Sequence, residues 1–145
     1  MRVQTFIQTG RQKVQQHSLG VRVMLLSDSS GGRTASRLAD LGSLVDVTDD
    51  LDEAVATILE DPFGYDLFVM DCDGFGGVAG AERAIAALIA GAARMRVMLI
   101  SAEFDVPAYP LGRRTAVCLP EDASDASFRL GLDHVLRDRA VMTMN

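Results

Sequence analysis

The chain has no tryptophan and only two tyrosines among its 145 residues, and it also has only two cysteines. With so few large aromatic side chains, the core must be built mainly from Val, Leu, Ile, Ala, Met and a few Phe residues. Cys72 and Cys118 do not form a CxxC pair, and no histidine lies near either of them in the sequence. So few potential ligands argue against a zinc site, and two buried, reduced thiols are the simpler interpretation.

Long apolar runs and an excess of positive charge are also missing. No segment reaches the roughly 18 to 20 apolar residues that a membrane-spanning helix needs. The N-terminal segment lacks the apolar core of a signal peptide, so we expect a cytoplasmic protein. The formal net charge is −6, which the phosphate backbone of a nucleic acid would repel. The acidic balance favours a protein partner or a divalent cation.

What the chain does contain is a regular alternation of strand-like and helix-like segments. Short apolar runs, typical of strands buried on both faces, occur at 21–27, 44–47, 66–71, 96–101 and 115–120. Segments with apolar residues at helical spacing follow all of these runs except the fourth. This order predicts a doubly wound α/β fold with a five-stranded parallel sheet. We assign one domain at 20–145, preceded by a polar N-terminal extension at 1–19.

The connection after the fourth apolar run interrupts this alternation. It contains Pro107 and Pro110, and proline is poorly tolerated in the interior of a helix. We therefore expect no long helix between the fourth and fifth strands.

Acidic and hydroxyl side chains stand at the carboxyl ends of three predicted strands. Asp28 follows the first strand, Asp71 ends the third with Asp73 two residues further on, and Ser101 ends the fourth. Each aspartate could simply stabilise a turn. However, sites in parallel sheets form at the carboxyl edge, and Asp28 and Asp71 converge there if the first and third strands are neighbours.

Two carboxylates at one edge would repel each other, and a hard cation such as Mg²⁺ relieves that repulsion through oxygen ligands. With the metal in place, Asp71 could attack phosphorus as a nucleophile. Ser101 could then donate a hydrogen bond to a phosphoryl oxygen. The pattern therefore predicts aspartyl-phosphate chemistry at this edge.

Three segments, VRVMLLSDS, YDLFVMDCDGFGG and VMLISAE, resemble the receiver domain of bacterial response regulators. The resemblance implies a receiver or flavodoxin-like fold with strand order 2-1-3-4-5, a Mg²⁺ ion, and a phosphoryl group supplied by a histidine kinase or histidine phosphotransfer protein. By position, Asp71 matches the phosphoacceptor, Asp28 a member of the acidic pair, and Ser101 the phosphoryl-contacting hydroxyl. The backbone carbonyl of Asp73 matches the third protein ligand of the metal.

The chain also departs from that family's pattern. Ser27 stands where the second acid of the pair usually is, and Leu119 precedes Pro120 where the family has a lysine. The expected switch aromatic is absent, with Ala116 near its position. We therefore expect an atypical single-domain receiver in phosphorelay signal transduction that is not an enzyme. The alternative is a pseudo-receiver that binds proteins without phosphorylation. Both imply a downstream protein partner, and a homodimer remains an open alternative.

The residues after the third strand also resemble an enzyme motif. The string FVMDCDGFGG resembles the first motif, hhhDxDG, of haloacid-dehalogenase-type phosphatases, which would make Asp71 the nucleophile and Asp73 the general acid. Unlike in that family, two βα units precede the motif, Ser101 follows too closely, and no lysine follows Lys13. A nucleotide or flavin site at SDSSGGRT is a further alternative, but this segment lacks both the P-loop ending and the GxGxxG fingerprint.

Overall fold

Six strands and four helices make up the part of the chain that the computed structural model describes, which comprises residues 4–6, 20–29, 32–92, 95–109 and 116–144. The strands are β1 (Gln4–Phe6), β2 (Arg22–Leu26), β3 (Leu44–Thr48), β4 (Leu67–Asp71), β5 (Arg96–Ser101) and β6 (Val117–Pro120). The helices are α1 (Gly32–Asp40), α2 (Leu51–Glu60), α3 (Gly77–Gly91) and α4 (Asp125–Met144). A single turn of 3₁₀ helix, Cys72–Phe75, joins β4 to α3.

The strands form one sheet in the order β1-β3-β2-β4-β5-β6. β2 to β6 are parallel, and among themselves they have the order 2-1-3-4-5, which confirms the expected topology. β1 differs from expectation, because Gln4–Phe6 belongs to the N-terminal extension and yet pairs antiparallel with the edge of β3. The backbone groups of β3 offer a pairing edge that the sequence of the extension does not reveal. The other extension residues, 1–3 and 7–19, lie outside the described part.

The central strands are apolar because both of their faces are covered. In β4, the side chains of Leu67, Phe68, Val69 and Met70 are all fully buried. Successive side chains of a strand point to opposite faces of the sheet, so β4 contributes to two cores. A parallel sheet with helices on both sides therefore produces continuous apolar runs rather than alternating ones.

Helices α1 and α4 cover one face of the sheet, and α2 and α3 cover the other. The first core contains Leu38, Phe128 and Leu132 from the helices together with Val23, Leu25, Val69 and Leu119 from the strands. The second contains Ile58, Ala84 and Leu88 together with Met24, Phe68, Met70 and Leu99. None of the described helices is both long enough and apolar enough to cross a membrane.

Local sequence explains where α2 and α3 begin. The carboxylate of Asp50 accepts a hydrogen bond of 3.0 Å from the backbone N–H of Glu53, which satisfies a free donor in the first turn of α2. Helix α3 begins after Gly76, whose φ of 91° lies in the left-handed region that glycine adopts most readily. This glycine lets the chain turn sharply from the 3₁₀ turn into α3 directly beside the end of β4.

The segment between β5 and β6 has no helix in its described part, residues 102–109, as the two prolines predicted. Instead, Ala108 forms an antiparallel bridge to Cys118 of β6, with N···O distances of 2.8 and 3.0 Å. Tyr109 packs against the first core and its hydroxyl donates a hydrogen bond of 3.3 Å to the carbonyl of Ser127. This segment therefore lies along the outer edge of β6. Residues 110–115, which include Pro110, lie outside the described part.

Candidate functional site

The carboxyl ends of β2 and β4 open into a cavity of about 320 Å³. It is lined by Asp28, Ser29, Arg33, Thr34, Asp71, Asp73, Gly74, Ile100 and Glu121. The topology explains this arrangement, because β2 and β4 are adjacent and parallel, and Leu26 at the end of β2 is in register with Met70. The loops that follow the two strands therefore meet, and they bring Asp28 and Asp71 to the same cavity.

Asp71 ends the central strand β4 and is only partly exposed. Its Oδ1 accepts a hydrogen bond of 3.1 Å from the hydroxyl of Thr34, in the first turn of α1. Burial raises the pKa of Asp71, hydrogen bonds from Ser27 and Thr34 act in the opposite direction, and the charges of Asp28 and Asp73 raise it again. The acidic side chains are thus close enough to oppose the ionisation of Asp71, and a cation among them would relieve that repulsion.

Asp28 lies in the loop after β2 and is exposed. Its carboxylate packs so closely on Gly74 that a Cβ atom at Gly74 would collide with it. The glycine in the turn after β4 therefore provides the space that Asp28 occupies beside Asp71.

Ser101 is 1% exposed and is not among the residues that line the cavity. Its hydroxyl donates a hydrogen bond of 2.6 Å to Oδ1 of Asp73, and the other oxygen of Asp73 accepts one of 2.9 Å from the backbone N–H of Ala102. The side chain of Asp73, for which the sequence suggested only a backbone role or an acid role, is therefore a hydrogen-bond acceptor that ties the loop after β4 to the end of β5.

The position of the missing lysine is filled by apolar packing. Leu119 is fully buried in the core beneath α1 and α4. Two residues further along, Glu121 contributes a further acid to the cavity, and Arg33 of α1 is the only described lining residue with a cationic side chain. Sequence reasoning did not identify Arg33, Thr34 or Glu121 as site residues.

The donor set suits a hard, oxygen-preferring cation. The carboxylates of Asp28 and Asp71 both line the cavity, and Asp73 lies in the same loop as Asp71. Within the described ranges, no group of three or more His, Cys, Asp and Glu side chains is arranged to hold a metal. A Mg²⁺ ion requires less than that, because one or two carboxylates, a backbone carbonyl and water suffice. The residues present are therefore compatible with the Mg²⁺ site that the sequence predicts.

Comparison with known proteins gives a match by structure alone, because no protein-family model and no curated protein matches the chain. The N-terminal domain of a response regulator/sensory box/GGDEF protein from Carboxydothermus hydrogenoformans superposes with a TM-score of 0.63 at 18% identity, covering 84% of this chain and 98% of that one. A response regulator receiver protein from Sinorhizobium medicae gives 0.59 at 19% identity, covering 83% and 97%. The chain has the fold of a response-regulator receiver domain.

A third similar structure is a chain in which a trimeric coiled-coil segment of yeast Spc42 is fused to another protein, with a TM-score of 0.65 at 19% identity over 86% of this chain and 83% of that one. Identities this low show a shared fold. Within the receiver fold, the cavity lies at the carboxyl edge of the sheet, and its chemistry depends on the residues of this chain.

Proposed function

We propose that this chain is an atypical receiver module in phosphorelay signal transduction, with Asp71 as the phosphoacceptor. The observation that carries the proposal is the placement of Asp71 at the end of the central strand of a receiver fold, in a cavity that it shares with Asp28. A nucleophilic carboxylate needs to be near the surface, held in one orientation and close to a metal site. Asp71 is partly exposed, and Thr34 holds one of its oxygens.

Mg²⁺ is the cofactor that the proposal requires, and Asp28, Asp71 and the backbone carbonyl of Asp73 would hold it. When bound, the ion supplies positive charge that offsets the charge of the carboxylates and of an incoming phosphoryl group. An oxygen of Asp71 forms the new bond to phosphorus while the bond from phosphorus to the donor histidine breaks. The histidine nitrogen leaves with that electron pair. Thr34 stabilises the ionised form of Asp71 and fixes its orientation before the transfer.

Arg33 is the residue that we propose in place of the missing lysine. Leu119 is buried in the core and carries no charge, so it cannot contact a phosphoryl group. Arg33 is exposed, lines the cavity and has a long side chain that can reach a bound anion. A guanidinium group is well suited to phosphate oxygens, because it presents several donors in a fixed geometry.

The partners follow from the same proposal. A histidine kinase or histidine phosphotransfer protein would supply the phosphoryl group, and a downstream protein would respond to the module. We propose that this exchange takes place in the cytoplasm, where the thiols of Cys72 and Cys118 would stay reduced. Burial raises the pKa of Cys72 to about 12, so this thiol does not serve as a nucleophile at neutral pH.

Incubation with acetyl phosphate and Mg²⁺ tests the proposal, with intact-protein mass as the readout. We expect one phosphoryl group to be added, with loss of the adduct in Asp71→Asn and after removal of Mg²⁺ by EDTA. Asp105→Asn is the matched control, because Asp105 is an exposed aspartate that does not line the cavity. Absence of any adduct at all Mg²⁺ concentrations would rule out the phosphoacceptor.

That negative result would favour the second candidate, a pseudo-receiver that binds proteins without phosphorylation. The burial of Leu119 supports this candidate, because a buried leucine has neither the positive charge nor the flexible side chain with which a lysine would contact a phosphoryl group.

No observation favours the phosphatase hypothesis. In that reaction Asp73 would donate a proton to the leaving group, but both of its oxygens already accept hydrogen bonds, from the hydroxyl of Ser101 and the backbone N–H of Ala102. Turnover of p-nitrophenyl phosphate that is lost in Asp73→Asn would revive it.

A further inference from the structure

The hydroxyl of Ser101 can donate only one proton. Two hydrogen bonds fix the position of this hydroxyl. The proton is donated to Oδ1 of Asp73 at 2.6 Å, and the hydroxyl oxygen accepts a bond of 3.0 Å from the backbone N–H of Glu103. The residue is almost completely buried. A short bond from a hydroxyl to a carboxylate is among the stronger hydrogen bonds in proteins, so this hydroxyl is not available to a second acceptor.

The carboxylate of Asp73 contacts both the cavity and the end of β5. One of its oxygens holds Ser101, and the other accepts the backbone N–H of Ala102 at 2.9 Å. Asp73 lines the cavity that contains Asp71, whereas Ser101 does not. Of these two bonded side chains, only that of Asp73 therefore faces the cavity in which an anion at Asp71 would lie.

A second carboxylate, that of Glu103, also links the same two loops. Glu103 follows β5, and its Oε2 accepts a hydrogen bond of 2.9 Å from the backbone N–H of Val78, in the first turn of α3. Residues 101–103 and 73–78 are thus joined by three hydrogen bonds, each of which ends on a carboxylate. Moving Ser101 toward the cavity would require breaking its own bond to Asp73 within this network.

We propose that the carboxylate of Asp73 is a latch that withholds the Ser101 hydroxyl from a phosphoryl group on Asp71. The inference rests on the proposed phosphoacceptor function. A carboxylate and a phosphoryl oxygen are both anionic acceptors, and they compete for the same proton. The carboxylate is already bonded to the proton of the buried Ser101 hydroxyl at 2.6 Å and is held in place by Ala102, so the phosphoryl group gains little by displacing it. Phosphorylation then leaves residues 101–103 in place, and partner binding responds weakly to it.

A double-mutant cycle between Ser101 and Asp73 tests the latch, with the half-life of the aspartyl-phosphate as the readout under saturating acetyl phosphate and Mg²⁺. In the unaltered protein, Ser101→Ala should change the half-life by less than about twofold, because the hydroxyl does not contact the phosphoryl group. In the Asp73→Ala background, the released hydroxyl becomes available, and Ser101→Ala should shorten the half-life by about fivefold or more.

Glu103→Ala is the matched control. It removes a carboxylate from the same pair of loops but leaves the bond between Ser101 and Asp73 intact. In this background, Ser101→Ala should again have an effect below about twofold. If Asp73→Ala does not fold, Asp73→Asn takes its place, because a neutral amide oxygen holds the hydroxyl proton less tightly, and the effect should then be intermediate.

The possible failures are distinguishable. If Ser101→Ala shortens the half-life equally in both backgrounds, the hydroxyl already serves the phosphoryl group, and the latch is disproved while the phosphoacceptor stands. If neither the unaltered protein nor any variant that retains Asp71 acquires a phosphoryl group, the proposed function fails, and the latch fails with it.

Discussion

Asp71 shows how strongly a single carboxylate depends on its immediate neighbours. Burial and the two nearby acids, Asp28 and Asp73, oppose its ionisation, and the hydroxyls of Ser27 and Thr34 favour it. A nucleophile must be ionised to attack phosphorus. The two hydroxyls therefore favour the ionised form of Asp71 that the proposed phosphorylation requires.

Thr34→Val should move the pH dependence of phosphorylation. Removing the donor to Oδ1 raises the pKa of Asp71 further, so a smaller fraction is ionised at a given acidic pH, and the acid limb of the rate profile shifts to higher pH. The profile is measured with acetyl phosphate at saturating Mg²⁺. Thr57→Val in α2 is the matched control, because its buried hydroxyl has no hydrogen-bond partner in the described part of the chain. An unchanged profile in Thr34→Val would contradict the positioning role.

Gly74→Ala should weaken Mg²⁺ binding without unfolding the protein. The backbone of Gly74 is not in the left-handed region, so alanine is tolerated there, but its methyl group would displace the carboxylate of Asp28. We expect the affinity for Mg²⁺ to fall about tenfold, as found when the surroundings of a metal ligand are disturbed. Isothermal titration calorimetry measures the affinity for Mg²⁺. Asp28→Asn, which alters the proposed metal ligand itself, provides the comparison. Equal affinity in Gly74→Ala and the unaltered protein would place the metal away from Asp28.

A second cluster, at the opposite end of the sheet, stabilises the fold. The carboxylate of Asp46 on β3 accepts hydrogen bonds from Arg22 at 2.7 Å and from the hydroxyl of Tyr65 at 2.6 Å, and Arg22 lies 4.6 Å from the centre of the Tyr65 ring. Burial and the hydrogen bond to Asp46 raise the pKa of Tyr65 to about 12. The folded state therefore favours the protonated phenol.

Tyr65→Phe should destabilise the protein by about 1–2 kcal/mol at neutral pH, because it removes a hydrogen bond to a buried carboxylate. The contribution of Tyr65 is present below pH 10, the ordinary pKa of tyrosine, and is lost as the pH rises towards 12. The difference in urea unfolding free energy between the two proteins should consequently shrink above pH 10. Tyr109→Phe is the control. It removes the hydroxyl of the only other tyrosine, which donates to the backbone carbonyl of Ser127 and not to a carboxylate. A difference that stays constant with pH would refute this linkage.

At the scale of elements, the parallel strands could be predicted because burial on both faces leaves continuous apolar runs such as that of β4. β1 could not be predicted, because Gln4–Phe6 is a strand only through its pairing with β3.

The convergence of Asp28 and Asp71 could be predicted from the strand order of the sheet. The same reasoning could have identified Arg33 and Thr34, since the first turn of a helix after a parallel strand lies at that edge. The bond from Ser101 to Asp73 depends on side-chain conformations that no spacing reveals.

Residues 102–109 are attached to the rest of the fold by the β-bridge between Ala108 and Cys118 and by the aromatic side chain of Tyr109. Tyr109 packs against the core beside α4, and its ring lies 6.1 Å from that of His134. Tyr109→Ala should destabilise the protein by about 1 kcal/mol, as expected for a partly buried aromatic side chain. It should also speed amide hydrogen exchange at Ala108 and Cys118, whose backbones pair across the bridge. Unchanged exchange at both amides would show that Tyr109 does not hold the segment.

At the scale of the whole molecule, the two ends of the sheet differ in structure. The end with Arg22, Asp46 and Tyr65 is closed by mutual hydrogen bonds, while the end with Asp28 and Asp71 opens into an acidic cavity. Three features bear on how the chain would respond to the proposed phosphorylation: Leu119 is a core residue, Ser101 is bonded to Asp73, and residues 102–109 form no helix. If Asp71 is phosphorylated as we propose, we expect the shape of the molecule to change little.

A crystal structure of the protein soaked with Mg²⁺ and beryllofluoride tests this account most directly. We predict the metal between the carboxylates of Asp28 and Asp71 and the carbonyl of Asp73, with beryllofluoride on Asp71 and the hydroxyl of Ser101 still bonded to Asp73. The account would be contradicted if the carboxylates of Asp28 and Asp71 pointed apart, shared no ion, and Asp71 bound no beryllofluoride.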